Sequence, residues 1–432
     1  MAFKYSNEGK GDLHESVILE DKPVFIKYDA KTSKIAAVPK IVEEVRTIIP
    51  PYRENYPAYS PYEFSSLDEV TDYLERAKLE TIDSLYLHAK DVASDYNDQT
   101  EEQINLLAID EICSYFQDRF STVHYDVITG GNGSGKSVWG ISFVSVAYRP
   151  AYLMDINAAN IFRILGCVEI GQCTLVLDEA EKVCNNPDLV SILKIGYSPI
   201  GRVSRINDFS RQPEFFRSYR FKIVIAESIP NIREAKGFRD RSFEFQAYRG
   251  SPKFDIKEDL EAEIRGSIEG QRRLARLKDF RKLMLVYRLL HFKDPLPDID
   301  LGFGGREKEL VKSTIELFYG NKAQEEVEST LEHFLNARNE NKDTGLEAVL
   351  YSMVWDLVLA SKTGKIYHKD LWYKIISNFG GVYDKDHKPN EYRVRTLAPF
   401  IVNRLVRYWN IRLEVSVSMR KEGIPSHLSH IG

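Results

Sequence analysis

Cysteine is scarce in this chain. Only four cysteines occur among 432 residues, Cys113, Cys167, Cys173 and Cys184, and their spacing matches no zinc-binding pattern. This scarcity excludes a small disulfide-stabilised secreted domain. Each cysteine lies in or beside an apolar run, so we expect buried thiols in a reducing compartment and place the protein in the cytoplasm.

Long apolar runs are also missing. The longest, around residues 283–290, is interrupted by Arg288 and is far shorter than the roughly 20 residues that a bilayer-spanning helix needs. No apolar stretch follows a basic start at the N-terminus, which is the pattern of a secretory signal. We therefore expect no secretory signal and no membrane partner.

The chain lacks an excess of positive charge. Its 59 lysines and arginines are outnumbered by 64 acidic residues, giving a net charge of −5. A basic coat for nucleic acid is thus excluded, and any nucleic-acid site must be a local patch. The hydrophobic fraction of 43% indicates a folded chain, and the length predicts two or three domains.

Residues 124–137, HYDVITGGNGSGKS, have the spacing of a phosphate-binding loop, the Walker A pattern. Glycines let backbone N–H groups turn toward a phosphate, and the helix that follows presents its positive end to the same anion. We expect Lys136 to neutralise the β- and γ-phosphates of ATP and Ser137 to bind Mg²⁺. The predicted nucleotide-binding residues are Gly130, Gly131, Asn132, Gly133, Ser134, Gly135, Lys136, Ser137 and Val138. A chance glycine-rich match is the alternative, which the apolar strand before the loop and the helix after it disfavour.

A second apolar strand, residues 174–177, ends in the acidic pair Asp178 and Glu179, a Walker B arrangement. Asp178 is expected to hold Mg²⁺ through its water shell, together with Ser137. Glu179 is expected to orient or deprotonate the attacking water. The alternative is that Glu179 and Glu181 only begin a helix, where acidic residues are favoured. Read with the phosphate loop, the pair predicts an ATPase in which Lys136 and Glu179 are catalytic.

The block from 122 to 254 alternates strands with helices. Strands are predicted at 123–128, 151–154, 174–177, 221–226 and 242–247, and helices at 136–147, 158–165, 187–195 and 232–236. Five strands with helical crossovers predict an α/β fold, a five-stranded mainly parallel sheet covered on both faces. Nucleotide would bind at the carboxyl ends of the strands.

Composition divides the rest of the chain. Residues 1–60 predict a small β-containing module with a proline- and tyrosine-rich linker, and 61–121 a helical region in which Ser66 and Glu69 have capping-box spacing. Aromatic residues in that region are expected in the core, with base stacking as the alternative. Residues 255–340 predict a helical lid or linker region behind the ATPase core at 122–254. Residues 341–421 predict a winged-helix-like domain, and 422–432 a tail.

Several arginines are candidates for contacts beyond the nucleotide loop. Arg239 and Arg241 precede the last strand, from where an arginine can reach the nucleotide of a neighbouring subunit. An ordinary ion pair with Asp240 or a nearby acid is the alternative.

A basic run predicts an arginine-rich hairpin between the second motif and the fourth strand. Its members are Arg202, Arg205, Arg211, Arg217, Arg220 and Lys222. Such a hairpin suits the phosphate backbone of DNA, and the leading contact candidates are Arg202, Arg205 and Arg211. A contact with a neighbouring subunit and a solvated face are the alternatives. In the last domain, Arg404 and Arg407 lie on a predicted third helix that is compatible with DNA recognition.

The phosphate loop and residues 177–181, 195–205 and 238–242 together resemble the AAA+-type ATPase domain of phage- and plasmid-borne primase–helicase proteins, and residues 305–310 are similar to a segment that follows that domain. Superfamily 3 viral replication helicases are more distant relatives. The resemblance covers about residues 66–318. It implies a ring, expected to be a hexamer, that hydrolyses ATP at subunit interfaces and moves along DNA.

Carried onto this chain, the resemblance places Lys136, Ser137, Asp178 and Glu179 at the nucleotide and hydrolysis positions, and Arg239 and Arg241 in the finger region. It also makes Ser228 a candidate sensor of the γ-phosphate, although superfamily 3 helicases have asparagine on that strand. A routine turn residue at the end of the strand is the alternative. The chain has no pair of catalytic acids of the primase type, so it would be a motor alone.

Three functions follow as hypotheses. The first is a Mg²⁺- and ATP-dependent DNA motor, a replicative helicase or translocase. The second is an AAA+ remodeller or loader that acts on a protein partner. The third is a nucleotide-gated scaffold with slow turnover.

Overall fold

The computed structural model describes most of the chain up to residue 343. The described residues are 12–42, 47–56, 61–154, 171–181, 186–207, 211–227, 236–302 and 304–343, with short stretches at 2–3, 6–9, 157–158, 161, 164, 356–357, 360, 366–367 and 413–414. The chain divides into two compact units, Met1–Leu335 and Asn336–Gly432. The finer domain boundaries given above stay predictions.

The described part of residues 1–64 is made of short strands. They are β1 (Ala2–Phe3), β2 (Ser6–Gly9), β3 (Asp12–Leu19), β4 (Lys22–Asp29), β5 (Lys34–Val38), β6 (Ile41–Val42), β7 (Thr47–Ile49) and β8 (Glu63–Phe64). Strands β2 to β5 are adjacent in sequence order and β8 pairs with β3, whereas β1, β7 and β6 form a separate sheet. Glu20 and Asp21 connect β3 to β4 with φ angles of +50° and +62°, as tight hairpin turns require.

Two tyrosines in or next to the predicted linker are packed against the rest of this unit. Tyr56 and Tyr62 are buried. The Tyr56 hydroxyl donates to Ser16 Oγ at 2.8 Å, and the Tyr62 hydroxyl donates to that of Tyr115 at 3.2 Å. The described part of this segment is therefore held to the strands and to the helices that follow.

Three helices follow, α1 (Leu67–Ala77), α2 (Ile82–Tyr96) and α3 (Glu101–Ser114). The side chains of Ser66, Thr81 and Thr100 cap their first turns by accepting backbone N–H bonds. Helix α3 is buried along nearly its whole length, including Ile104, Leu107 and Ile112, and Tyr115 and Phe116 after it are buried too. The prediction that the aromatic residues of this region lie in the core is confirmed.

The central sheet has five parallel strands, as the alternation of elements predicts. They are β9 (Tyr125–Thr129), β10 (Pro150–Leu153), β11 (Thr174–Leu177), β14 (Lys222–Ala226) and β15 (Ser242–Gln246), with the hairpin β12 (Val203–Ile206) and β13 (Pro213–Phe216) between β11 and β14. The spatial order is β10-β11-β14-β9-β15, and every adjacent pair is parallel. The strand before the phosphate loop therefore lies inside the sheet, with β14 between it and the acidic strand.

In the chain, the remaining helices lie between the strands of the central sheet or after them. They are α4 (Lys136–Val144), α5 (Pro187–Ile195), α6 (Lys236–Arg239), α7 (Ile256–Leu260), α8 (Ala262–Arg265), α9 (Ile268–His291), α10 (Gly305–Phe318) and α11 (Gln324–Asp343). The predicted helix at 158–165 and residues 232–235 of the helix predicted at 232–236 lie largely or wholly outside the described residues. No described helix is both long enough and apolar enough to cross a membrane.

Of the predicted winged-helix-like domain, the structure describes little. Strands β16 (Ile366–Tyr367) and β17 (Leu413–Glu414) pair in parallel. The sequence pattern of this domain predicts three helices, at 346–361, 369–379 and 391–408. They lie almost entirely outside the described residues, as does the tail. The winged-helix assignment stays a prediction.

Candidate nucleotide-binding site

The phosphate loop joins β9 to α4 and is open on its outer side. Gly133 and Gly135 have φ angles of +77° and +89°, the left-handed region that glycine adopts without strain. A Cβ added to Gly131 or Gly133 would meet no atom within 4 Å, whereas one on Gly130 would lie 2.9 Å from the Ala247 carbonyl oxygen. The loop is thus packed at its base and accessible at its rim, which fits a phosphate ligand.

The first turn of α4 has no side-chain cap. Its N-cap is Gly135, so no side chain accepts bonds from the leading N–H groups, which remain for a ligand. Lys136 Nζ donates to the Gly131 carbonyl at 3.3 Å, which holds the ammonium group over the loop. Ser137 is partly exposed beside it. The structure thus brings the predicted lysine and serine to the same open rim.

Helix α4 packs closely against the sheet, with a large residue buried beside a glycine that has no side chain. Trp139 is buried and stacks with Phe143 at 6.2 Å between ring centroids. A Cβ on Gly140 would lie 2.5 Å from Ile225 Cδ1 of β14. Glycine therefore lets the helix approach β14 this closely without displacing the Ile225 side chain. This approach helps to position the first turn of α4 relative to the strand ends.

Asp178 follows β11 and is 2% exposed. One carboxylate oxygen, Oδ1, accepts from the N–H of Glu179 at 2.8 Å, and the other accepts from the hydroxyl of Tyr152 on β10. Both oxygens are therefore oriented by neighbours before any ion binds. Sequence reasoning missed Tyr152, because its contact depends on β10 and β11 being adjacent.

Glu179 has an unusual backbone. Its φ angle is +54°, although it is not glycine, and such a conformation costs roughly 1–3 kcal/mol. Asp178 and Ala180 on either side are buried, whereas Glu179 is exposed. The strained turn thus directs this carboxylate out of the core while keeping the neighbouring aspartate inside.

Strand β14 connects the two motifs at their ends. The Glu227 carbonyl accepts from the N–H of Gly130 at 3.3 Å, and the Glu227 N–H donates to Glu181 Oε1 at 2.7 Å. One residue therefore bridges the phosphate loop and the acidic segment. The sensor candidate Ser228, the next residue, lies outside the described residues.

Arg239 and Arg241 both have partners within the chain. Arg239 forms a two-pronged ion pair with Glu244, with Nε donating to Oε1 at 2.7 Å. The Arg241 guanidinium stacks on the ring of Tyr197 at 4.4 Å and also donates to the Gly237 carbonyl. The pair between Arg239 and Glu244 is therefore an ion pair of the kind given above as the alternative to a finger role. The finger role of either arginine stays a prediction.

Arg306, which the sequence did not mark as a site residue, lies beside Arg241. Its guanidinium stacks on Tyr197 at 4.9 Å and pairs with Asp240 at 3.3 Å. Two arginines from separate elements thus meet on one tyrosine ring. No local sequence pattern predicts this contact, because Tyr197 and Arg306 are more than a hundred residues apart.

The predicted hairpin is present as the antiparallel pair β12 and β13. Arg205 lies opposite Glu214 in the register, and Arg202 precedes β12. Both arginines are exposed, as is Arg211, whose φ angle is +55°. The three leading DNA-contact candidates therefore lie on or next to a projecting element, with Arg211 near the hairpin turn.

Two of the basic residues counted with this hairpin are not on its surface, which corrects the prediction. Arg220 and Lys222 are fully buried. Arg220 Nη1 lies 3.0 Å from Cys173 Sγ, and Lys222 Nζ donates to the carbonyls of Gly196, Ser218 and Arg220 at 3.1, 2.9 and 3.0 Å. Burial, assisted by the charge of Arg220, holds the pKa of Lys222 well below its usual value. Neither side chain is available to a polymer.

The other face of the hairpin is apolar. Phe215 is 62% and Ile206 53% exposed, and Ile200, shortly before the hairpin, is 88% exposed. Because side chains alternate along a strand, Phe215 and Ile206 lie on the face opposite Arg205. The remaining DNA candidates, Arg404 and Arg407, lie outside the described residues.

Cys113 and Cys173 are buried free thiols, as predicted, and Cys167 and Cys184 lie outside the described residues.

No protein-family model matches the chain, and no curated protein sequence matches it. Among solved structures, the chain is similar to JCV helicase, with a TM-score of 0.28 and 13% identity over 66% of this chain and 70% of that one. It is also similar to the apo C-terminal region of NrS-1, with a TM-score of 0.33 and 14% identity over 83% and 88% of the two chains. At these values the functional assignment depends on the residues of the site.

Proposed function

We propose that the chain is a Mg²⁺-dependent ATPase that drives movement along DNA. One observation carries the proposal: an open phosphate loop and the Asp178–Glu179 pair lie at the same edge of a parallel sheet, joined through the backbone of Glu227. An open loop and an uncapped helix terminus suit the phosphates of a nucleotide. The Asp178–Glu179 pair offers the metal ligand and the general base that hydrolysis needs in addition to nucleotide binding.

Each residue has a role in this proposal. Residues 130–138 hold the phosphates of ATP, with Lys136 neutralising the β- and γ-phosphates. Ser137 and Asp178 would hold Mg²⁺, which would supply positive charge to the β- and γ-phosphates. Glu179, exposed on its strained turn, orients the attacking water and accepts its proton. Ser228 remains the sensor candidate.

The proposed assembly is a homo-oligomeric ring, expected to be a hexamer, with ATP at subunit interfaces. Arg239 and Arg241 are the candidates to act on the nucleotide of a neighbouring subunit. To reach that nucleotide, Arg239 would have to leave its ion pair with Glu244, or Arg241 its contact with Tyr197. The resemblance to ring-forming ATPases supports this assembly.

DNA is the proposed polymer because of the exposed arginines at the hairpin. Arg202, Arg205 and Arg211 offer charges that a phosphate backbone can pair with. Arg404 and Arg407 would add contacts from the proposed winged-helix-like domain.

The test is ATP turnover with and without single-stranded DNA. We expect stimulation by DNA that weakens by about tenfold or more as salt rises from about 50 to 200 mM. Replacing Arg202 and Arg205 together by alanine should remove the stimulation and spare DNA-independent turnover. Arg272→Ala, which removes an exposed arginine on α9 paired with Glu269, is the matched control and should leave stimulation intact. Turnover that no DNA changes would contradict the motor.

A second function, remodelling of a protein partner, is favoured by the apolar face of the hairpin. Exposed Phe215 and Ile206 suit an unfolded polypeptide better than a phosphate backbone. An unfolded polypeptide would then stimulate turnover, and the double substitution Ile206→Ser and Phe215→Ser would remove that effect. Stimulation by DNA alone, lost only in the arginine variant, would exclude the remodeller.

A further inference from the structure

A group of ionisable residues lies buried away from the nucleotide site. Asp110 is on α3, His124 immediately precedes β9, and Asp126 is within β9. Their exposed fractions are 0%, 3% and 0%. The phosphate loop begins at the other end of β9, roughly 13 Å from Asp126 at the rise of a strand. The cluster is therefore separate from the proposed ATPase chemistry.

The geometry points to a metal site: we propose that Asp110, His124 and Asp126 bind a divalent transition-metal ion, of which Zn²⁺ is the leading candidate. One ligand atom from each residue lies within 4.8 Å of the other two. His124 Nε2 is 3.0 Å from Asp110 Oδ1 and 3.9 Å from Asp126 Oδ1. These atoms would need to move by only a fraction of their present separation to surround one ion.

The carboxylates of this cluster lack partners that would compensate for their burial. With both carboxyls ionised, Asp110 Oδ2 and both carboxylate oxygens of Asp126 are buried without a hydrogen-bond partner. A proton on one of the two carboxyls lets them hydrogen-bond to each other. Among the described residues, His124 is the one basic side chain that pairs with either acid. Taking an unpaired carboxylate out of water is costly, and two facing carboxylates cannot both be charged without a cation between them.

The directions of the pKa shifts in these three residues agree with a metal site. Burial raises the pKa of both Asp110 and Asp126, and the charge of Asp110 raises that of Asp126 further. Burial lowers the pKa of His124, which favours the neutral ring that can bind a metal. A cation would replace the proton that one carboxyl must otherwise hold.

The imidazole is oriented as a metal-binding histidine usually is. His124 Nδ1 lies 3.3 Å from the Leu310 carbonyl oxygen, to which it can donate. This leaves the lone pair of Nε2 directed at the two carboxylates. A histidine that binds a metal through one nitrogen commonly donates the other N–H to a carbonyl or a carboxylate.

The donor set selects the kind of ion. One imidazole nitrogen with two carboxylates suits Zn²⁺ or a related transition metal, whereas Mg²⁺ and Ca²⁺ prefer six or more oxygen ligands. A small cavity beside the cluster is lined by Asp110, Cys113, His124 and Thr314, among others. A water in this cavity would be the fourth ligand. The ion would join α3 to β9 and, through Leu310, to α10.

The test is metal analysis of the full chain, expressed with Zn²⁺ and Mn²⁺ supplied and freed of loosely bound ions by gel filtration. About one equivalent of Zn²⁺, or of Mn²⁺, should remain with the wild type, as expected for a buried structural site. Asp126→Asn and His124→Gln should each lose it. His88→Gln, which changes a half-buried histidine elsewhere, is the matched control and should retain it.

A second measurement needs no variant. Incubating the wild-type protein with a strong chelator at elevated temperature should remove the ion and lower the midpoint of thermal unfolding, and adding Zn²⁺ back should restore it. Wild-type protein without stoichiometric metal, and with unfolding insensitive to chelator, would overturn the proposal in favour of a proton shared between the carboxyls. Metal that persists in both ligand variants would overturn it as well.

Discussion

At the scale of single residues, the hydrogen bond from Tyr152 to Asp178 is the contact on which Mg²⁺ binding should depend most. Asp178 is almost fully buried, and the Tyr152 hydroxyl is the side-chain donor that orients one of its oxygens. A group that orients a metal-binding carboxylate contributes to affinity although it never touches the ion.

Tyr152→Phe should therefore shift the Mg²⁺ dependence of ATP turnover to concentrations about tenfold higher. Titrating Mg²⁺ at saturating ATP measures this shift. Tyr319→Phe, which changes an exposed tyrosine after α10, is the control and should leave the titration unchanged. An unchanged titration for Tyr152→Phe would mean that the tyrosine does not orient the carboxylate.

Local patterns predict the positions of individual site residues, but not what orients them. Lys136, Ser137, Asp178 and Glu179 follow from spacing along a short stretch, because loop and strand end are contiguous in the chain. The contacts of Tyr152 and Glu227 follow from which strands are neighbours, and the sequence alone does not reveal strand order. The Asp110–His124–Asp126 cluster is not predictable from local spacing for a similar reason. Its first carboxylate belongs to α3, fourteen residues before the histidine, and only the packing of α3 against β9 brings the two together.

At the scale of elements, the position of α4 on the sheet sets the geometry of the phosphate loop. Gly140 lets the helix approach Ile225 of β14, and Glu227, two residues beyond Ile225, bonds to the loop at Gly130. Helix and strand therefore hold the loop from two sides, and a larger residue at 140 would push them apart.

Gly140→Val should lower the free energy of unfolding by about 2 kcal/mol, because added atoms overpack a close helix–strand contact. Urea unfolding of the variant measures this. Gly302→Val is the control, since a Cβ there would meet no atom within 4 Å. Equal stability of the two variants would contradict the packing account.

The hairpin illustrates where charge patterns mislead. A run of basic residues predicts an exposed surface, and this is right for Arg202, Arg205 and Arg211. It is wrong for Arg220 and Lys222, because the chain enters the interior strand β14 there and the carbonyl groups of Gly196 and Ser218 accept hydrogen bonds from the lysine. Composition over a window does not reveal the residue at which a projecting element ends and the core begins.

At the scale of the whole molecule, one buried ion network joins the N-terminal strands to the central sheet and helix α9. Glu15 of β3 accepts from Arg149 at 2.7 Å and from Arg288 of α9 at 2.8 Å, and all three side chains are nearly or fully inaccessible. Arg288 also pairs with Asp118. The sequence presented residues 1–60 as a module on a linker, since no local pattern pairs a glutamate in a strand with arginines more than a hundred residues away.

Glu15→Gln should lower the free energy of unfolding by about 3–5 kcal/mol, because it leaves two buried guanidinium groups without their shared carboxylate. Urea unfolding of the full chain measures the loss. Arg272→Ala breaks an exposed pair with Glu269 and should cost less than about 1 kcal/mol. If the two losses were similar, the network would not hold the N-terminal strands to the core.

The central claim is that the phosphate loop and Glu179 form one hydrolytic site. Single-turnover hydrolysis of ATP, measured beside ATP binding, tests it most directly. Glu179→Gln should bind ATP as the wild type does but hydrolyse it about 100-fold or more slowly, since the base is lost. Lys136→Ala should lose ATP binding, and Glu181→Gln, which keeps an acceptor for the N–H of Glu227, should hydrolyse at close to the wild-type rate. Hydrolysis by Glu179→Gln at the wild-type rate would contradict the account.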